Sequence, residues 1–535
     1  MRLRELLAVA EIEEARGKLD QPVTGLAYDS RQVKEGSVFF AVPGSHVDGH
    51  AFAGEALDRG AAAVVLEREI ALPDHATWVR VRNVRRAMGQ WAAMFFGYPG
   101  RHMVLLGVTG TNGKTTVTYL LESIFAAAGM VSGVIGTVNY RYRGRTIRAP
   151  QTTPESIDLE ALLAEMAESG VQSAAMEVSS HALALERVRG IDFDGALFTN
   201  LSRDHLDFHP DMDHYFSSKA SLFTDYLRSS IKHRKFAVIH GEDGRGAELL
   251  SKVRQTGLEV LSYGRGTSWD VHPLDVEGDL GGLRGKISVQ GQVIEFSSRL
   301  IGRANLENIL GAVGASFSLG LPPRAVADGI KRLKMVPGRL EGVENSLGIT
   351  VLVDYAHTPD ALEKVLEILG PLSHGRLICV FGCGGDRDRG KRPLMGGIAA
   401  RLSDLVVLTS DNPRTEDPVK IIEEIEEGVR KTALTKFSIL DFGFPITDLK
   451  SKIANLKSEK GYFVEPNRRA AIRLALQLAR AGDLVLLAGK GHEGYQIIGS
   501  QRLQFDDREV TREELEKIAT KRSGSGAQRS AKGDS

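Results

Sequence analysis

Apolar residues fall along this chain in short solid runs, separated by stretches with helical spacing. The runs at 103–109, 173–178 and 194–199 are too continuous for half-exposed strands, so they predict strands buried on both faces. Between them, 114–128, 155–168 and 211–227 carry apolar residues at helical intervals. In the first these are Val117, Leu120, Leu121, Ile124 and Phe125. Such alternation predicts a parallel sheet with helices on both faces. The stretch around 270–300, rich in Gly with alternating Val and Ile, predicts antiparallel strands. Pro337-Gly338 marks the next boundary. From Ile349 the alternation restarts, with strands at 349–353, 376–381, 404–409 and 484–488 and helices at 359–369, 391–401, 418–430 and 468–480. That is a second doubly wound unit, in which ligands sit beyond the carboxyl ends of the strands. Residues 1 to about 100 predict a small α/β unit, with strands Val38–Val42 and Ala62–Leu66 and a Gly-rich loop, Pro43–His50, between them. Charge interrupts the apolar run of Met1–Leu7, which predicts a surface helix and not a signal peptide.

Length agrees with this division: 535 residues exceed what one core can organise, and three domains are expected. Their predicted bounds are 1–100, 101–338 and 339–510, with 511–535 as a helix end and a polar tail. The tail from Lys521 is small, charged and expected to be disordered. The stretch 431–460 is weakly patterned and reads as an elaboration. No repeat of solenoid period is present. Lys+Arg and Asp+Glu both number 68, so no global basic field invites nucleic acid. No apolar stretch reaches bilayer length, so no membrane span is expected. The two cysteines, Cys379 and Cys383, are too few for a disulfide framework or a thiol metal site. Buried thiols in a reducing cytoplasm are the expectation.

The densest chemical signal is Gly107-Val108-Thr109-Gly110-Thr111-Asn112-Gly113-Lys114-Thr115-Thr116, between an apolar strand and a helix start. A glycine turn there aims backbone N–H groups and the positive end of the helix dipole at a polyphosphate. Lys114 adds a point charge, and the Thr115 hydroxyl can sit on Mg²⁺. The usual P-loop spacing wants Gly where Val108 stands, so this is either a chance Gly-rich turn or a variant loop. Gly-Lys-Thr-Thr at a strand-to-helix junction favours the variant loop. Strand 173–178 ends in Glu177, either a solvated strand-end carboxylate or, beside a phosphate loop, a metal ligand. The third strand ends in Asn200-Leu201-Ser202-Arg203-Asp204-His205-Leu206-Asp207, where position marks His205 as a second possible ligand. Further on, Tyr215, Lys219 and Leu222 share one helix face, where a lysine usually snorkels to water.

Thr-Gly-Thr-Asn-Gly-Lys-Thr, Glu-Val-Ser-Ser-His, Asn-Leu-Ser-Arg-Asp-His-Leu-Asp and the Lys219 segment, in this order, resemble the Mur ligases, which build the peptide stem of peptidoglycan. The resemblance spans residues 20 to 510 and is closest to the diaminopimelate-adding branch. It implies an α/β chain of three domains: a small N-terminal α/β domain for the uridine nucleotide, a central P-loop-type parallel-sheet ATPase, and a C-terminal Rossmann-like doubly wound domain for the incoming amino acid. It implies ATP contacts at Gly110, Thr111, Asn112, Gly113, Lys114, Thr115, Thr116, Asn305 and Arg339. Ala304 stands where many relatives carry Phe. It implies Mg²⁺ on Thr115 and Glu177, and a second Mg²⁺ on His205 and Lys219, the lysine being carbamylated. A carbamate turns a cation into the carboxylate that a hard cation requires. Ser30 matches a uridine-nucleotide contact, and Gln151, Thr152, Thr153, Ser179 and Arg187 match contacts to the muramoyl dipeptide. Asp354 and His357 either orient nucleotide or belong to a turn whose Thr358-Pro359 starts a helix.

Three strand-end loops, beginning at Gly385, Ser410 and Ala488, should converge on one crevice. Asp411-Asn412-Pro413-Arg414 is the signature of the diaminopimelate-adding members and is usually absent from lysine-adding ones. Diaminopimelate exceeds lysine by one distal carboxylate. Arg387 and Arg414 can meet that group, while Glu493 and the Gly489 carbonyl can hold ammonium. Lysine should then be rejected on the order of a thousandfold. The implied reaction joins meso-diaminopimelate to UDP-MurNAc-L-Ala-D-Glu through an acyl phosphate, in a cytoplasmic monomer. Junctions near Gly338 and Gly342 are candidate hinges for closure. The rival readings are a lysine-adding relative, a folylpolyglutamate synthetase and, from another class, a nucleotide-gated binding or switch protein.

Overall fold

Three sheets follow one another along the chain in the computed structural model, which describes residues 1–44, 47–437 and 460–530, with side chains to 520. The first sheet runs Ile12–Arg16, Trp78–Val81, Ala63–Leu66, Ser37–Phe40, Gly25–Ala27, parallel except for its first pair. The terminal helix Leu3–Leu7 lies at the surface and buries Leu3 and Leu6.

The central sheet has a parallel row, Glu259–Tyr263, Phe236–His240, Gly195–Phe198, Val104–Thr109, Ser173–Glu177, Ser132–Ile135. Further strands extend both edges, antiparallel except where Val271–Asp279 joins Glu259–Tyr263 in parallel. Asn139–Tyr142 and Arg145–Arg148 lie on one side, and Val271–Asp279, Gly282–Val289 and Gln292–Ser298 on the other. The latter three are the antiparallel patch expected at 270–300. Register explains the site: Glu177 pairs with Val108 and Phe198 with Thr109, so three strands end level beneath the same loops. Helix Lys114–Ala127 buries Val117, Leu120, Leu121, Ile124 and Phe125, the residues its spacing singled out. Two apolar layers, one on each sheet face, enclose the row. Strands Phe236–His240 and Glu259–Tyr263 escape the sequence pattern because the apolar run of the first is only four residues long and buried Ser262 interrupts the second.

The third sheet runs Glu341–Gly342, Thr350–Asp354, Leu484–Ala488, Leu377–Phe381, Leu405–Leu408, Gly461–Val464, Thr435–Lys436, parallel but for its first pair. Most of the weakly patterned stretch, 438–459, lies outside the described residues. The last helix, Asp507–Ser530, runs on through the start of the polar tail, and 531–535 lie outside the described residues. Cys379 and Cys383 are both buried free thiols, which burial pushes up to about 12. Gly338, a candidate hinge, has φ +65°, and a Cβ there would overlap Gly491 and His492, whereas Gly342 faces open space. Among the described residues no helix is long and apolar enough to cross a membrane.

One buried ion pair ties this sheet to the last helix. Arg468 and Asp507 are both shut off from solvent, with contacts of 2.6 and 2.8 Å. The same guanidinium donates to Ala488 O at 3.0 Å and Ser410 O at 3.4 Å, so it also holds two strand ends together. Breaking a buried pair strands the surviving charge. Arg468→Leu should therefore cost about 3–5 kcal/mol in denaturant unfolding. Arg469→Leu, which removes a half-exposed surface pair, should cost under about 1 kcal/mol.

Candidate active site

The turn Gly110–Gly113 joins the central strand to the helix that starts at Lys114. Gly110 and Gly113 have φ +144° and +89°, and a Cβ on either would overlap Thr199 Oγ1 or Asn308 Oδ1. Glycine is thus forced at both positions, which supports the variant phosphate loop over a chance turn. The N–H of Thr111 is taken by Asn200 O and that of Asn112 by Asn200 Oδ1, at 2.8 and 3.0 Å. Val117 N–H makes the helix bond to Gly113 O, so Lys114, Thr115 and Thr116 open the helix with N–H groups ahead of its ladder. Thr115 Oγ1 donates to Glu177 Oε1 at 3.0 Å, and the same carboxylate accepts Thr137 N and Oγ1, each at 2.9 Å. Glu177 is therefore a buried, oriented carboxylate and not a solvated one.

Lys219 departs from the snorkelling expected of it. Its residue is 1% exposed, because the helix Met212–Ser221 turns this face inward and the Tyr215 ring lies against it. Nζ donates to Gly110 O at 2.8 Å and lies 4.6 Å from the Tyr215 ring centre. Lys114 Nζ donates to the same Gly110 O, and to Thr111 O, also at 2.8 Å. Burial, with Lys114 beside it, pushes the Lys219 ammonium well below its usual range. His205 takes the left-handed conformation (φ +55°), with Nε2 3.3 Å from Asp204 Oδ2 and its ring 4.9 Å from that of His181. Burial holds its imidazole below the usual range, a neutral form able to bind a cation. Thr115 and Glu177 present two converging oxygens, the donor set of Mg²⁺. Lys219 as an amine is not a ligand for that ion.

A cleft of about 460 Å³ opens over the loop, and Asn305, Arg339 and Lys364 line it with the loop residues. Arg339 Nη2 donates to Thr115 Oγ1 at 3.3 Å and its guanidinium lies 4.6 Å from the Tyr355 ring centre. Asn305 receives a bond from Asn308 Nδ2 at 3.2 Å. Asn308, overlooked in the sequence, lies one turn beyond Asn305 and packs on Gly113; only that i+3 spacing hinted at it. Asp354 accepts Leu340 N and Ala356 N at 2.7 and 2.8 Å, and Thr358 caps the helix Pro359–Leu372. The turn reading therefore accounts for the carboxylate bonds of Asp354 and for Thr358, and Asp354 and His357 both line the cleft.

The second cavity, about 1150 Å³, is the crevice where the strand-end loops meet. Arg387, Asp411, Asn412, Arg414, Gly489 and Glu493 all line it. Arg414 has φ +52°, its N–H bonds Ile497 O at 3.1 Å, and its Nη1 donates to Gly385 O at 2.6 Å. Pro413 is not in the lining; its carbonyl packs where Gly385 would carry a Cβ. Asn412 Nδ2 donates to Glu493 Oε2 at 2.8 Å. Lys490, also overlooked, is fully buried between Asn412 Oδ1 (3.2 Å), Glu493 Oε2 (3.4 Å) and Asp411 Oδ1 (3.5 Å). Desolvation pushes Glu493 above the usual carboxylate range. Arg387 is half-exposed, 3.8 Å from Asp207.

The remaining residues divide. Gln151 and Thr152 line both cavities, and Ser179 and Arg187 line the nucleotide cleft. Arg187 pairs with Glu155 at 2.9 Å, and Arg85 takes the other oxygen of that carboxylate. Thr153 is buried, its hydroxyl donating to Glu177 O at 2.8 Å, and lines neither cavity. Ser30 lies in the first domain, bonded to Glu55 at 3.1 Å, and also lines neither.

Known proteins share this architecture. Residues 22–96 match the description "Mur ligase family, catalytic domain", residues 108–316 "Mur ligase middle domain" and residues 338–491 "Mur ligase, glutamate ligase domain". The UDP-N-acetylmuramoyl-L-alanyl-D-glutamate–2,6-diaminopimelate ligase of Geobacter metallireducens is 48% identical over 98% of this chain and 100% of its own length. That of Geobacter sulfurreducens is 47% identical over 95% and 97%. A solved structure of a ligase with the same name matches with TM-score 0.67 and 32% identity, covering 97% of this chain and 99% of that one. The chain belongs to the Mur ligase family.

The overlap at Gly113 gives a test of the loop. Gly113→Ala should weaken ATP binding by about tenfold or more, roughly 1.4 kcal/mol, in a nucleotide titration of the folded variant. Gly129→Ala, at a positive-φ helix end with open space, should leave that affinity within about twofold.

Proposed function

We propose that this chain is the ATP-dependent ligase that joins meso-diaminopimelate to the D-glutamate γ-carboxylate of UDP-MurNAc-L-Ala-D-Glu. The observation that carries this reading is the meeting of the two cavities. Thr137, Gln151, Thr152, Asp204 and His205 form a wall common to the nucleotide cleft and the acceptor crevice. An acyl group activated on one side of that wall is within reach of an amine on the other.

In the proposed sequence the glutamate carboxylate attacks the γ-phosphorus of ATP, ADP leaves, and an acyl phosphate forms. The neutral amine of diaminopimelate then attacks the acyl carbon. The tetrahedral intermediate expels inorganic phosphate, and the amine proton is lost to solvent or phosphate. Lys114 neutralises charge on the transferring phosphoryl group, and Arg339 sits over Thr115 to hold the nucleotide end. Mg²⁺ on Thr115 and Glu177, with a second ion on His205 and a carbamylated Lys219, supplies further charge neutralisation when bound. The buried position of Lys219 supports the carbamate. Burial and Lys114 beside it favour the neutral amine, the form that adds CO₂ with loss of a proton, and the product carboxylate would offset Lys114.

Arg414 and Arg387 hold the distal carboxylate of the acceptor, while Glu493, Asn412 and the Gly489 carbonyl hold its distal ammonium. Ser30 belongs to the uridine end, and Gln151, Thr152, Ser179 and Arg187 to the muramoyl dipeptide. Thr153 positions Ser179 from behind, through a 3.1 Å bond from Ser179 N. Every group invoked comes from one chain, so a monomer suffices. A UDP-linked precursor places the reaction in the cytoplasm.

Phosphate release across a panel of acceptor amino acids is the direct test. Turnover should require the muramoyl dipeptide and diaminopimelate, with lysine slower by on the order of a thousandfold. Equal turnover with lysine would overturn the assignment. Lys219→Ala should lose all measurable turnover, regain part of it with a short-chain carboxylic acid, and gain nothing from bicarbonate. Arg414→Ala should raise the acceptor KM by about tenfold or more and leave the ATP KM within about twofold.

A further inference from the structure

One hydrogen bond removed from the phosphate loop, a buried histidine faces the wrong way for any protein partner. His240 ends the strand Phe236–His240 and is 6% exposed. Its Nδ1 bonds Thr199 O at 2.9 Å, and Thr199 Oγ1 in turn donates to Asn112 O at 2.6 Å. The carbonyl partner makes Nδ1 the protonated nitrogen, so Nε2 carries a lone pair. That Nε2 is buried and has no hydrogen-bond partner. The ring stacks on Tyr263 at 4.9 Å and 12°, and a flip that kept this stack would give up the bond to Thr199 O. A ring nitrogen of His240 and one carboxylate oxygen each from Glu242 and Glu307 lie within 4.8 Å of one another. Among the described residues this is the one trio of metal-ligating side chains so placed.

We propose that His240, Glu242 and Glu307 form a Zn²⁺ site distinct from the Mg²⁺ positions of the nucleotide. One imidazole and two carboxylates, with water in the fourth place, are a donor set that Zn²⁺ accepts and Mg²⁺ does not favour. Second-sphere contacts already orient the ligands. The Thr199 carbonyl fixes the tautomer of His240. Arg265 N and Gly266 N donate to Glu242 Oε1 at 2.8 and 2.7 Å, leaving Oε2 for the ion. Tetrahedral ligands about 2.1 Å from Zn²⁺ stand roughly 3.4 Å apart. Rotation of the Glu307 side chain, with a small shift of Glu242 on its two backbone bonds, would close the difference. Arg265 occupies the charge of the site loosely, at 3.3 Å from Glu242 and 3.4 Å from Glu307, with its side chain 40% exposed. One guanidinium against two carboxylates leaves a negative charge unmatched, and it cannot donate to two anions and the buried Nε2 with good geometry. Arg265 and Glu307 also line a cavity of about 440 Å³, which gives an ion access. The site would tie the loop after His240 to the helix Arg303–Ser318, whose Asn308 packs on Gly113.

The test uses the full chain, freed of metal by chelator and titrated with ZnCl₂ in excess Mg²⁺. Calorimetry gives the stoichiometry, and the fluorescence of Trp269, which packs against Gly241, gives a local signal. The expected result is one equivalent of Zn²⁺ that excess Mg²⁺ does not displace, with a change in tryptophan emission. His240→Ala should remove that equivalent, and Glu307→Gln should weaken it by about tenfold or more. Circular dichroism and melting in chelator show whether each variant is folded; should His240→Ala not fold, Glu307→Gln decides. No Zn²⁺ equivalent in excess Mg²⁺, or one kept with undiminished affinity in the folded variants, would overturn the proposal.

Discussion

Two lysine side chains meet at a single carbonyl oxygen, that of Gly110, each 2.8 Å away. Little else in the active site can be understood apart from this contact. It requires that Gly110 carry no side chain, that the helix bearing Lys219 lie flat against the loop, and that the strands beneath end level. Two ammonium groups so close and so far from water cannot both keep their charge cheaply. Lys219, the more deeply buried, yields. The conflict that makes this lysine an unlikely surface residue makes it a good reactive amine. An amine whose charge burial disfavours, beside a second lysine, is the electrostatic setting for the carbamate proposed above.

The acceptor crevice rests on a comparable device at the other end of the molecule. Arg468 binds the ends of two strands while paired with Asp507, and Lys490 fills the space between Asp411, Asn412 and Glu493. Neither cation is exposed enough to touch solvent freely. Their work is to hold backbone carbonyls and carboxylates in fixed positions, so that Arg414, in a strained left-handed conformation, faces the cavity. A specificity pocket for a zwitterion needs such rigidity, because an arginine that could swing away would tolerate lysine as readily as diaminopimelate.

Near the site, polar contacts join the central and C-terminal domains. Arg339 reaches Thr115, Asn112 Nδ2 donates to Asp360 at 3.1 Å, and Arg203 pairs with Asp388 at 3.4 Å. Partly exposed contacts of this kind are individually weak. They suit a joint that closes over substrate and reopens. Gly338 is tightly seated against Gly491 and His492, and Gly342 pairs with Leu352 in the third sheet.

The sequence alone determined the strand–loop–helix at Lys114, the restart of the alternating pattern at Ile349, and the Asp-Asn-Pro-Arg loop. Each is a local pattern, in which apolar period, glycine and charge lie within a few residues of one another. Tertiary structure decided the rest. A short apolar run hid the strand at 236 and buried Ser262 the strand at 259, and a helix-face rule misjudged Lys219, because what buries it is a loop 109 residues away. Arg468 and Lys490 gave no signal for the same reason, since Asp507 and Asn412, which they hold, are distant in the chain. Conversely, Thr153 matched a site pattern but spends its hydroxyl behind the wall. Local periodicity records which way a residue faces; only the packed chain determines what it meets there.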